Sequence, residues 1–200
     1  MIQTSEMDQQ MVDLRSQRTI DEKVRDVVLF FTYTSAYRLH ATQIMKLAYL
    51  SELRSLERRG KRLTRADFVH WRYGPFSQSV ARAMDGIPEL KAETRGTSRG
   101  RMARFYLLQQ PRVKVRLTQG EIQLLSDVGK DWLSKDSDDL VSATKMSPPF
   151  TWTKFGDEIP FDRYAEFVKK MSAAKVTDDK GDTELANEED IITFVKRLRG

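Results

Sequence analysis

The sequence predicts a mainly helical α+β fold, with five or six helices around one central buried helix and a small antiparallel sheet or hairpin. Apolar residues recur at helical spacing in several segments, and two capping boxes mark helix starts. Two short segments are dense in aromatic and β-branched residues, which is typical of strands. With 200 residues, of which 40% are hydrophobic, the chain has enough apolar material for one core.

The first helix is predicted to begin at a capping box, Thr19-Ile-Asp-Glu22, in which the threonine oxygen accepts a backbone N–H and the glutamate reaches back. A stripe of apolar residues then marks a core-facing side over about residues 20–34, and it consists of Ile20, Val24, Val27, Val28 and Phe31. Residues 1–18 are polar, and we interpret them as a flexible N-terminal extension.

The second helix is predicted over about residues 41–58. Apolar residues surround most of its cylinder, which is typical of the buried centre of a domain. Arg58 and Arg59 complement the helix dipole at its end, and Gly60 suits a left-handed cap.

Strands are predicted at residues 68–73 and 103–108, with a third at 113–116, and we expect them to pair as one antiparallel sheet. Gly74-Pro75 is expected to end the first strand, because proline cannot donate to a ladder. Residues 91–101 place two glycines among arginines, and a mobile basic loop is expected there.

Further helices are predicted, and their ranges are about 77–84, 118–133, 138–144 and 161–171. The second of them begins at a capping box, Thr118-Gln-Gly-Glu121, and Pro148-Pro149 is expected to stop the third. Residues 172–200 are interpreted as an acidic linker with a short terminal helix. The folded domain is therefore expected to span residues 19–171.

The composition excludes several kinds of chemistry. The chain has no cysteine and two histidines, His40 and His70, so disulfides, thiolate metal sites and cysteine nucleophiles are excluded. The serine elbow, the phosphate loop and the zinc-protease helix motif are missing, and His70 is interpreted as a packed or edge histidine. We expect no catalytic residue, no cofactor and no metal, and the protein is not expected to be an enzyme. A carboxylate enzyme stays open as an alternative without assigned residues.

Charge is divided unevenly along the chain. Residues 1–120 carry 22 Lys/Arg against 12 Asp/Glu, and residues 121–190 carry 9 against 17. This division indicates a partner-binding surface. The sequence contains no apolar run long enough to span a bilayer and does not begin like a secretion signal, so we expect a cytoplasmic protein without a membrane partner.

Four short motifs resemble those of the Panacea-domain family, the SocA-like antitoxins of toxin–antitoxin systems. Residues Thr42-Gln-Ile-Met-Lys-Leu-Ala-Tyr49 are similar to its L-x-K-L-x-Y second helix, and Tyr73-Gly-Pro-Phe76 resembles its Y-G-P-V element. Leu117-Thr-Gln-Gly-Glu121 and residues 144–152 resemble its L-s-x-x-E and T-H-x-x-P-x-W elements. The resemblance covers about residues 20–170.

The resemblance implies an antitoxin that neutralises a cognate toxin protein by direct binding. It also implies a cellular protease as a further partner, to which an adaptor would hand the toxin. The alternative is a winged-helix-like DNA-binding regulator, with operator DNA as its partner. It stays open because two predicted helices are followed along the sequence by a hairpin, and because basic residues accompany them.

The family motifs supply candidate partner-contact residues, which are Lys46, Tyr49, Trp71, Tyr73, Gly74, Pro75 and Trp152. From the residues alone, structural roles are favoured for several of them. The stem of Lys46 is expected to pack while its ammonium reaches water. Trp71 is expected in the core, and Tyr73 is expected to pack on the second helix.

Residues 91–116 carry eight Lys/Arg and one acid, Glu93. The basic-surface candidates are Arg95, Arg99, Arg101 and Arg104. Three interpretations remain open: a solvated loop, a grip on nucleic-acid phosphates, and a positive surface that speeds association with an acidic toxin.

Overall fold

A computed structural model of the chain describes residues 21–36, 38–97, 100–110 and 114–171. Within this part the fold is α+β and mainly helical, as predicted. Helix α1 covers residues 21–34. The elements that follow are β1 (Arg38–His40), α2 (Ala41–Arg59), β2 (Val69–Trp71), β3 (Gly74–Phe76), α3 (Gln78–Gly86), β4 (Leu90–Gly96), β5 (Met102–Leu108), α4 (Gln119–Trp132), α5 (Ser137–Met146), α6 (Pro148–Thr151) and α7 (Phe161–Met171).

Helix α2 lies at the centre of the domain, as its all-round apolar pattern predicts. It contacts α3, α4, α5 and α7, and apolar residues on every side of it, such as Ile44, Leu47 and Leu53, are buried. Gly60 ends the helix in the left-handed conformation, and its N–H donates to the Leu56 carbonyl.

Helix α1 packs into the same core through its predicted stripe. Val24, Val27, Val28 and Phe31 are all buried. The proposed capping residue Thr19, its neighbour Ile20 and the N-terminal extension lie outside the described residues.

The predicted strand pairing is wrong. The three-stranded sheet has the order β1-β5-β4, with Leu39 opposite Tyr106 and Leu90 opposite Leu108. The expected mobile loop at 91–101 contributes β4, because pairing with β5 stabilises a segment that has little apolar pattern of its own. Residues 114–116 are not in a strand.

Strands β2 and β3 form a separate hairpin, so Gly74-Pro75 does not end the sheet structure but belongs to β3. Pro75 lies opposite His70, and the backbone N–H and C=O of His70 instead bond Asp157 and Gly156 on the other side of β2. Pro75 therefore occupies a position that needs no N–H in the hairpin ladder, where proline costs no bond.

Two helices in the C-terminal part begin at side-chain caps, and the cap at Thr118 is the predicted one. The Thr118 side chain accepts the Glu121 N–H and Glu121 reaches back, and the Asp136 carboxylate accepts the N–H groups of Asp138 and Asp139. Pro148 and Pro149 follow the end of α5 but also begin α6, because proline in the first helical turn loses no backbone bond.

Candidate functional site

Three large aromatic side chains face solvent at and beside the tip of the β2–β3 hairpin. Trp71 is 47% exposed, Tyr73 63% and Phe155 62%. The Trp71 and Phe155 rings stack, with centroids 5.0 Å apart and planes 21° from parallel. We call Trp71, Tyr73 and Phe155 the aromatic surface. The expected core position of Trp71 and the expected packing of Tyr73 on α2 are both wrong.

Alternation along a strand does not reveal which of its two faces packs against the core. The sequence therefore could not show that Trp71 lies on the exposed face. It also missed Phe155, which lies in a turn before Gly156. The only available signal was a large apolar residue in a turn, where nothing requires one for folding.

The aromatic surface is held by backbone hydrogen bonds between residues 68–70 and residues 156–159. The His70 N–H donates to the Asp157 carbonyl at 2.9 Å, and the Gly156 N–H donates to the His70 carbonyl at 2.9 Å. The Ile159 N–H donates to the Phe68 carbonyl at 2.8 Å. This ladder fixes the Phe155 turn beside Trp71.

His70 adds a side-chain contact to the same attachment. Its Nδ1 lies 2.7 Å from the Thr153 carbonyl oxygen, and its ring lies 3.8 Å from the ring of Phe150 between centroids. His70 is thus a packed histidine, as predicted.

Lys46 joins the hairpin to the centre of the domain. Its side chain is buried, with the residue 3% exposed, and its Nζ donates to the Pro75 carbonyl at 2.7 Å. The expectation that its ammonium reaches water is wrong. Burial, and to a smaller extent the neighbouring charge of Lys145, lowers the pKa of Lys46 to about 7.

Gly74 allows this close approach of the hairpin to α2 and α5. Its φ is +86°, and a Cβ there would lie 3.1 Å from Thr144 Oγ1 and 3.3 Å from Lys46 Nζ. A side chain at this position would meet both contacts and a strained backbone, so packing requires the glycine of the Tyr-Gly-Pro sequence.

Tyr49 completes the buried polar contacts under the hairpin. Its hydroxyl lies 2.8 Å from Ser147 Oγ, and Ser147 Oγ donates to the Thr144 carbonyl. Burial raises the pKa of Tyr49. Lys46, Tyr49, Thr144 and Ser147, which we call the polar brace, lie inside the domain, so the motif positions divide into buried support and exposed aromatics.

Trp152 is half-buried and belongs to a different cluster. The Arg163 guanidinium lies 4.7 Å from its ring, and the ring of Phe167 lies 5.5 Å away. Neither of these contacts joins Trp152 to the aromatic surface.

The basic candidates are partly neutralised by acids. Arg95 bonds Glu93, and Arg104 pairs with Asp85 at 2.8 Å. Arg101 lines a cleft of about 550 Å³ that also borders Tyr73 and His40. Arg99 lies outside the described residues.

The titratable groups of the polar brace, Lys46 and Tyr49, are buried away from solvent. Within the described residues, no group of His, Asp and Glu is placed to hold a metal ion. No helix in the described part of the chain is long and apolar enough to cross a membrane. The exposed tryptophan and tyrosine on this supported hairpin are of the residue types that carry binding energy at protein interfaces.

Comparison with known families gives a closer assignment. The family described as antitoxin SocA-like, Panacea domain, matches residues 44–153. Because this match spans more than half of the chain, the protein belongs to that family. No curated protein and no solved structure gives a match.

Proposed function

We propose that this chain is the antitoxin of a toxin–antitoxin system and that it neutralises a cognate toxin by direct binding through the aromatic surface. The observation that carries the proposal is the solvent-facing stack of Trp71 on Phe155 beside the exposed Tyr73. Folding alone gives no reason to expose these rings, whereas a protein partner would bury them.

The residue types favour a protein interface. Tryptophan, tyrosine and arginine carry most of the binding energy in protein complexes, and Arg72 between Trp71 and Tyr73 places its guanidinium 5.5 Å from the Tyr73 ring. The contacts of Lys46 and His70 hold the hairpin before binding. Little conformational freedom would be lost on association, which favours affinity.

A binding role without catalysis is part of the proposal. Lys46, whose pKa near 7 would suit chemistry, is enclosed and already bonds the Pro75 carbonyl, so a substrate has no access to it. Delivery of the toxin to a cellular protease is supported by the family resemblance alone. With a toxin and a cellular protease as its partners, the chain is proposed to act in the cytoplasm.

Co-expression with the toxin encoded by the neighbouring gene tests the proposal. The wild-type chain is expected to restore growth and to copurify with the toxin. Trp71→Ala and Phe155→Ala are each expected to weaken toxin binding by at least tenfold, because truncation of a central aromatic anchor costs about 2 kcal/mol or more.

Phe167→Ala is the matched control, since Phe167 is also an exposed aromatic residue but lies on α7. It should bind the toxin like the wild type. A neighbouring product that is harmless alone, or one that stays toxic and unbound beside the wild-type chain, would contradict the proposal. Equal losses in Phe155→Ala and Phe167→Ala would contradict the assigned surface.

DNA binding is the second candidate function. The strand order β1-β5-β4 favours it, because a first strand that pairs with the second arm of a later hairpin is the arrangement of winged-helix domains. It concerns elements that carry none of the aromatic-surface residues and is compatible with toxin binding.

A further inference from the structure

The first half of the chain has the connectivity of a winged helix. Helix α1 is followed by β1 and α2, then by α3, and finally by the β4–β5 hairpin, with β5 between β1 and β4 in the sheet. Residues 60–77, which include the β2–β3 hairpin, separate α2 from α3, whereas a helix-turn-helix unit has only a short turn there. In this scheme α3 corresponds to the recognition helix and the β4–β5 hairpin to the wing.

Helix α3 leaves one of its faces uncovered. Val80 and Met84 are buried against the core, whereas Gln78, Arg82 and Asp85 are exposed. Gln78, Arg82 and Asp85 recur at i, i+4 and i+7 and therefore lie on the same side of the helix, where Arg82 also pairs with the exposed Asp21 at 3.9 Å. Glutamine pairs with the adenine edge and arginine with the guanine edge in the DNA major groove.

The hairpin after α3 adds positive charge to this side. Residues 78–108 carry six Lys/Arg against three Asp/Glu. Arg104 on β5 pairs with Asp85 on α3, which places the hairpin arginine beside the helix. Both members of this pair are about half exposed, so the pair is weak and the guanidinium can exchange to a phosphate.

We propose that the chain also binds double-stranded DNA, with the Gln78 and Arg82 side of α3 in the major groove and Arg104 of the β4–β5 hairpin on the adjacent backbone. In helix-turn-helix proteins the N-terminal residues of the recognition helix contact the bases, and Gln78 is the first residue of α3. This function uses α3, which carries none of the aromatic-surface residues, and does not depend on a toxin.

Anisotropy of a labelled duplex of mixed sequence, about 30 base pairs long, tests the proposal when protein is titrated at salt concentrations from about 50 to 200 mM. The wild-type chain is expected to bind more weakly as salt rises. Arg82→Ala should weaken binding roughly tenfold and reduce the salt slope by about one. The control Lys170→Ala removes the same charge from an exposed position on α7 and should leave binding nearly unchanged.

Selection from a pool of random duplexes separates base reading from phosphate contact. The wild type should enrich a short motif, and Gln78→Ala should relax the preference at one position while its affinity for the mixed duplex stays within a few-fold. Thermal unfolding of each variant shows whether it folds; Gln78 and Arg82 are both exposed, so loss of folding is not expected.

Absence of binding at about 10 µM protein in about 50 mM salt would overturn the proposal. So would equal losses in Arg82→Ala and Lys170→Ala, since this would leave only diffuse charge attraction. Toxin binding by Arg82→Ala tests whether the two proposed functions use separate residues. Retained toxin binding with lost DNA binding supports separate sites, and lost toxin binding in a folded variant contradicts them.

Discussion

Lys46 fixes the hairpin to the central helix, although burying its amine is energetically unfavourable. An amine in the core loses hydration, which is unfavourable unless a polar group replaces water, and the Pro75 carbonyl is that group. The lowered pKa records the remaining preference of this site for the neutral amine. The stability of the fold is therefore expected to depend on pH near neutrality.

Lys46→Met is expected to remove that dependence. The pKa of Lys46 is about 7 in the folded state against 10.5 ordinarily, so the folded state binds fewer protons between these values and wild-type stability rises with pH in this window. Relative to Lys46→Met, the free energy of unfolding of the wild type should increase by about 1 kcal/mol per pH unit. Urea unfolding from pH 7 to 9.5 measures it.

The window ends below pH 10 because tyrosines then act in the opposite direction. Burial is the main cause that raises the pKa values of Tyr49, Tyr106 and Tyr164 above the ordinary 10.0, so their contribution to stability begins to be lost as pH rises past that ordinary value. Lys145→Met is the control, since it leaves Lys46 in place and the pH dependence should persist. Identical slopes for Lys46→Met and wild type would refute this account.

Gly74→Ala should destabilise the domain by about 2 kcal/mol, because a methyl group would meet Thr144 and Lys46 at a positive φ. Gly96→Ala is the control, since nothing lies within 4 Å of its added Cβ. Equilibrium unfolding in urea compares the two, and equal stability would show that the hairpin does not need this close approach.

The motifs in the sequence named two residues of the brace and two of the aromatic surface, but not which of them are buried and which are exposed. The spacing of Lys46 and Tyr49 on α2 and the Tyr73-Gly74-Pro75 turn were found as motifs. Burial of Lys46 was not predicted, because snorkelling is usual for a lysine and its acceptor is a carbonyl 29 positions later in the chain.

At the scale of elements, Glu52 ties α2 to the segment that leads into the hairpin. Its fully buried carboxylate accepts the N–H groups of Leu63 and Thr64, each at 2.9 Å, and the hydroxyl of Thr64. Arg62 Nε lies 3.3 Å away. A charged acceptor that satisfies several buried donors stabilises the loop strongly.

Glu52→Gln is expected to destabilise the protein by about 2 kcal/mol or more, because the amide loses the charge and turns an N–H₂ group toward backbone donors. Urea unfolding measures the change. Glu166→Gln, at an exposed position on α7, is the control and should stay within about 0.5 kcal/mol of wild type. A neutral effect of Glu52→Gln would mean that the loop holds its shape without this carboxylate.

Helices were predictable as elements and strand partners were not. The stripe of α1 and the cap at Thr118 are local patterns, which sequence spacing displays directly. Strand β1 has three residues, and most side chains of β4 are exposed, so neither has the alternation that predicts a strand. Their pairing depends on β5, which is distant in sequence from β1.

At the scale of the whole molecule, the folded unit is larger than the family match. The match covers residues 44–153, yet Phe31 of α1 and Phe161 of α7 are buried in the same core. We propose that residues 19–171 form the domain. Residues 1–18 and 172–200 were interpreted as extensions, and residues 1–20 and 172–200 lie outside the described part of the chain.

A chain truncated to residues 19–171 is expected to unfold at the same urea concentration as the full chain, because the core residues described above are retained. A truncation at residue 44, which removes α1, should fail to fold. A lower midpoint for the 19–171 chain would show that the removed segments contribute to the domain.

The most direct test of the account is amide hydrogen exchange of the full chain, alone and bound to its toxin. We predict slower exchange on toxin binding in residues 69–76 and 153–159, which carry the aromatic surface, and little change in α3. Unchanged exchange in both segments, with protection elsewhere on the domain, would contradict it.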